Sequence, residues 1–98
     1  MTTVKRIQWE QIAQMDGRQT LYVDVIKLSV CLAKIEQDGK NVELILNIYR
    51  LFGTISQKER TMRFSMSIFQ LTAEEAQSTF AGIDKVEGVN TNELFLVA

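Results

Sequence analysis

The sequence predicts a single α+β domain spanning residues 1–98: a meandering antiparallel sheet of about four or five strands, with one short helix, about residues 72–82, packed on it. Three observations carry this expectation. Ninety-eight residues supply chain for one hydrophobic core and not for two. Apolar and polar side chains alternate with period two along much of 19–71, where β-branched and aromatic residues are abundant. Directly afterwards comes Thr72-Ala-Glu-Glu75, the form of a capping box that opens a helix.

The elements follow in order. Val4 to Trp9 can extend as an edge strand, and Trp9 to Met15 is rich in helix formers, with Trp9, Ile12 and Ala13 at helical spacing before Asp16-Gly17. A strand followed by a helical turn is expected there; the alternative is a strand throughout, hairpinned at Asp16-Gly17. The next strand is expected from Thr20 to Glu36. Its apolar residues fall on odd positions at Leu21, Val23 and Val25, then on even ones at Ile26, Leu28, Val30 and Leu32. Strand side chains alternate strictly between faces, so this switch predicts a bulge at Val25-Ile26. Gln37 to Asn41, centred on Asp38-Gly39, is a turn.

A partner strand is expected over Val42–Phe52, with Val42, Leu44, Leu46 and Ile48 on one face and Glu43, Ile45, Asn47 and Tyr49 on the other. Gly53 to Arg60 is a polar connection. A third strand follows, Thr61 to Leu71, where Met62, Phe64, Met66 and Ile68 alternate with Arg63, Ser65, Ser67 and Phe69. The apolar face these strands share needs a cover. The helix begun at Thr72 provides one, with Ala73, Ala76, Phe80 and Ile83 on one stripe and Gly82 placed to end it in the left-handed conformation. Asp84 to Asn92 reads as a loop, and Glu93 to Ala98 as a last strand.

Composition removes several chemistries. Histidine is absent, which takes away the commonest general base near neutral pH and the commonest nitrogen ligand for metals. The single cysteine, Cys31, can form neither an internal disulfide nor a Cys-His pair. Met15, Met62 and Met66 read as core filling, and Glu74-Glu75 as helix capping, because neighbouring helical side chains diverge by about 100° and cannot face one substrate. No enzyme activity, cofactor, metal or small-molecule substrate is expected.

The apolar-rich stretch Val42–Phe52 is interrupted by Glu43, Asn47 and Arg50 and is far shorter than the roughly 20 residues of a membrane span. Met1 to Arg6 leads into Ile7-Gln8-Trp9-Glu10 without the apolar core of a signal peptide, so the expected address is the cytoplasm.

Function is expected from the second face of the predicted sheet. Ser29, Cys31, Ala33, Asn47, Tyr49, Ser65, Ser67 and Phe69 are small or amphipathic, where a solvated sheet face would show lysine and glutamate. Depletion of charge beside Tyr and Phe is the pattern of an interface core; the competing reading covers this face with the chain's own terminal segments. The expectation is therefore a non-catalytic protein-binding or assembly module, encoded by a phage or other mobile element, self-associating as a homodimer through a sheet face or edge, or binding another protein. Its nominated contacts are Tyr49, Phe69, Asn47, Ser65 and Ser67, with Trp9 as an aromatic anchor.

Two alternatives stand beside it. A sheet could bind RNA or single-stranded DNA through Arg50, Lys58, Arg60 and Arg63 next to its aromatics, although a net charge of −1 disfavours phosphate binding. The chain also has the size and the lack of catalytic residues of small phage-encoded inhibitors of bacterial defence complexes. In topology alone, strands followed by one helix over the sheet resemble the coat proteins of small RNA bacteriophages. That resemblance implies dimerisation through the sheet and RNA on its opposite face.

Overall fold

Leu21 and Val23 alternate with Thr20, Tyr22 and Asp24, and they do form a strand, but the strand stops where the alternation changes phase. The computed structural model describes residues 5–62 and 68–97, those at 52, 54–62 and 68 by backbone alone. In chain order its regular elements are β1 (Lys5–Arg6), α1 (Trp9–Ile12), β2 (Thr20–Asp24), α2 (Val25–Asp38), α3 (Val42–Met62), β3 (Ile68–Thr72), α4 (Ala73–Thr79) and β4 (Phe95–Val97). Two 3-10 turns, Ile83–Lys85 and Thr91–Glu93, lie between α4 and β4.

The phase change at Val25-Ile26 is a strand-to-helix junction rather than a bulge. Asp24 is extended, and its carboxylate accepts the Lys27 amide at 3.1 Å, which caps α2. Beyond it Val25, Leu28, Leu32 and Ile35 recur at helical spacing and, with Cys31, are buried. The helix closes at Gly39, whose φ of 70° is the left-handed conformation and whose amide bonds the Ile35 carbonyl at 3.4 Å. The expected turn at Gln37–Asn41 is thus a real break, but it joins two helices.

The strand expected over Val42–Phe52 is also helical. It belongs to α3, which continues through the expected polar connection to Met62. Ile48 is fully buried, and Leu44, Ile45 and Leu51 pack against the core. Of the third expected strand, Ile68–Thr72 is β3 and residues 61–62 end α3, while 63–67 lie outside the described residues.

The sheet has four antiparallel strands in the order β1-β4-β2-β3. It is not a meander, because β4, the last strand in sequence, lies between β1 and β2. Tyr22 is level with Gln70 on one side and Leu96 on the other. Leu21, Val23, Phe69, Leu71 and Phe95 join the core with Ala73, Ala76, Phe80 and Ile83. Phe95 is its aromatic centre, edge-on to Phe80 at 5.2 Å and tilted against Trp9 at 5.9 Å.

In place of the single short helix expected from the sequence, the described residues form three helices of seven residues or more, and the expected cover is one of them. Its capping box is present: the Thr72 hydroxyl accepts the Glu75 amide, and the Glu75 carboxylate accepts the Thr72 amide, both at 3.0 Å. Gly82 is left-handed at φ 82° but opens the 3-10 turn at Ile83; α4 itself ends at Thr79, with Phe80 as its C-cap. The N-terminal strand and helical turn are formed as expected, with Gln8 and Gln11 completing a cap.

Candidate functional site

Helical residues turn by about 100° each, so a stripe at i, i+4, i+7 and i+11 shares one side of a helix. In α2 the buried set fixes the core side, and Ile26, Val30, Ala33 and Gln37 form the opposite stripe. In α3 Ile48 fixes the core side, and Val42, Leu46, Tyr49 and Gly53 form the outer stripe. Exposure follows this geometry: Ile26 63%, Val30 51%, Val42 61%, Leu46 51% and Tyr49 47%. Single exposed apolar residues are ordinary, but a contiguous group is not.

Contiguity comes from the hairpin. Residues 39–41 link the helices, and the Tyr49 hydroxyl donates a hydrogen bond to the Glu36 carboxylate. The two helices are in contact along these flanks, so the two outer stripes run on either side of one seam. At these exposures the five side chains leave on the order of 500 Å² of apolar surface in water, toward the upper end of the largest patch found on ordinary monomers.

Charged groups lie along the rim. Lys34 donates to the Gly88 carbonyl at 3.1 Å, and Lys27 pairs with Glu93 at 3.7 Å, which ties the outer flank of α2 to the C-terminal segment. Glu43 lies in the first turn of α3, and Arg50 donates to Asn47 at 3.5 Å.

The nominated residues are dispersed. Tyr49 lies on the outer stripe of α3, with half-buried Asn47 on a flank of the same helix. Phe69 is a core residue of β3, and Trp9 is partly buried against Phe95. Ser65, Ser67 and Arg63 lie outside the described residues. The sheet face that was to unite these groups does not exist, since Ser29, Cys31 and Ala33 belong to α2 and Asn47 and Tyr49 to α3. Arg50, Lys58 and Arg60 likewise fall on α3 and not on a sheet hairpin. The sequence reading missed Ile26, Val30, Val42 and Leu46 as surface residues. Their i, i+4 spacing was the available signal, hidden because even spacings also satisfy a strand.

Little else among the described residues offers chemistry. Cys31 is buried, and burial pushes its thiol above the ordinary value. Among the described residues no group of three His, Cys, Asp or Glu side chains could hold a metal ion, and no helix is long and apolar enough to cross a membrane. An open recess of about 480 Å³ lies where Val42, Leu44 and Asn47 of α3 meet Ser78, Thr79 and Ala81. A second, of about 610 Å³, is lined by Arg6, Gln8, Gln11, Asn90, Asn92 and Glu93. Two side chains of the second are engaged in capping and turn bonds, Gln11 accepting the Gln8 backbone amide and Asn90 accepting the Asn92 backbone amide. The chain matches no protein-family model, and no curated protein or solved structure matches it.

Proposed function

We propose that the chain is a non-catalytic protein-binding module that docks through the outward face of α2 and α3. The observation that carries this reading is the contiguous apolar stripe of Ile26, Val30, Val42, Leu46 and Tyr49, 47–63% exposed on a hairpin whose opposite side already completes the core. Burying such side chains against a partner removes apolar area from water at about 25 cal/mol per Å². Tyr49 adds an aromatic group of the type that dominates interface energetics. The aromatics nominated for stacking bases support nucleic-acid binding less well, since Phe69 is in the core and the hydroxyl of Tyr49 is held by Glu36.

A photo-crosslinking residue placed at Leu46, in the cell that makes the protein, tests this directly. A protein adduct is expected from position 46 and from position 30, and none from position 70, an exposed site on β3. Absence of any adduct from 46 and 30 would remove the proposal.

A further inference from the structure

We infer that the occupant of this face is a second copy of the chain, joined about a two-fold axis that runs along the seam between α2 and α3. The inference rests on the docking reading above and names its partner. Area is the first argument. A standard interface buries about 800 Å² per partner, and the five apolar side chains with their small and polar neighbours Ser29, Ala33 and Gln37 approach that figure on one side. A second copy supplies an equal and matching area. A domain of 98 residues also gains from it, since folding alone hides only about 60–68% of the surface of so short a chain.

The second argument is complementarity of the face with itself. The rim carries both signs, Lys34 on α2 and Glu43 on α3, with Glu36 in the seam. A rim of one sign would call for an oppositely charged partner; a mixed rim can close on its own copy. An axis along the seam lays α2 of each copy across α3 of the other, running in opposite directions, as ridges into grooves. Large side chains then meet small ones, with Leu46 over Ala33 of the partner subunit. On the same edge Lys34 comes within reach of Glu43 of the partner subunit. Charges along the rim steer and orient such pairing, while the apolar stripe holds it.

Light scattering behind size exclusion, from micromolar to millimolar protein, reads the outcome. The mass should rise from 11.2 kDa toward twice that value. Leu46→Asp should weaken pairing about a hundredfold, because the exposed position tolerates the charge in the monomer and the dimer does not. Lys34→Glu or Glu43→Lys alone should weaken it about tenfold, and the two together should restore it. Circular dichroism of each variant reports that the fold is kept.

A chain that remains at 11.2 kDa at millimolar concentration overturns self-pairing, as does a dimer indifferent to Leu46→Asp. Single charge variants that weaken a dimer which the double variant fails to restore overturn the two-fold arrangement. A monomeric chain that still crosslinks from position 46 to a different protein overturns this inference and leaves the docking reading standing. A monomeric chain with no adduct removes both.

Discussion

Cys31 lies on the core side of α2, 7% exposed, between Leu28 and Leu32. Burial is the main cause of its raised thiol pKa; Lys34 and Lys27 pull the other way and Glu93 adds to the rise. Two outcomes follow. Alkylation by a thiol reagent at neutral pH should be slow in the native protein and complete in denaturant, as mass spectrometry would record. The second concerns stability. A thiol whose folded pKa is raised stabilises the fold fully below the unfolded value of about 8.5, and this contribution is lost as pH climbs through the folded value. The melting temperature of the natural chain should therefore fall more steeply above that pH than that of Cys31→Val, in which the titrating group is gone. That Cys31 has neither a disulfide partner nor a histidine to activate it was legible in the sequence, because the chain holds no second cysteine and no histidine. Its helical setting was not.

Helix ends, rather than helix interiors, decided which elements could be read in advance. The capping box at Thr72 and Glu75 announces α4 because both partners are written three residues apart, and Thr72→Ala should cost about 1 kcal/mol in chemical denaturation. Asp24 caps α2 in the same way, but its third following residue is Lys27 and no box is completed, so the signal is a lone aspartate at the end of a strand. Asp24→Ala should also cost about 1 kcal/mol. Within α2, Leu28, Val30 and Leu32 satisfy the strand period while Leu28, Leu32 and Ile35 satisfy the helical one. The β-branched residues Val25, Ile26 and Val30 lean the local preference toward the strand. Burial of Ile35 and exposure of Val30 show that packing against the sheet chose the helix. Over α3 the same ambiguity covers Leu44, Leu46 and Ile48, and the polar run after Gly53 reads as a loop only while the preceding segment is taken for a strand.

The whole molecule separates two apolar surfaces that one stretch of sequence encodes together. Helices and sheet enclose Phe80, Phe95, Leu21, Leu28 and Ile48 at 0% exposure, while Ile26, Val30, Val42 and Leu46 face out. Phe80→Ala should cost about 3–5 kcal/mol, because it leaves a cavity against Phe95. Leu46→Asp should change the stability of the monomer by no more than about 0.5 kcal/mol. The α+β class, the antiparallel pairing and a last strand near the C-terminus were all legible. The placement of β4 inside the sheet was not, because pairing of segments so distant in sequence leaves no local trace. The expected interface shared Tyr49, Ser29 and Ala33 with the outer face of α2 and α3 but none of its aliphatic residues, since alternate positions on a strand and i, i+4 positions on a helix select different residues from the same run.

The most direct test of the account is the exposure of individual methyl groups, followed by NMR in the presence of a soluble paramagnetic agent as protein concentration is raised. Methyls of Ile26, Val30, Val42 and Leu46 should be strongly relaxed at the lowest concentration and become protected at the highest, while those of Leu28, Ile35 and Leu94 stay protected throughout. Stripe methyls protected where light scattering shows a monomer would place them inside the molecule, and stripe methyls still relaxed at the highest concentration would leave the second copy with no surface to cover.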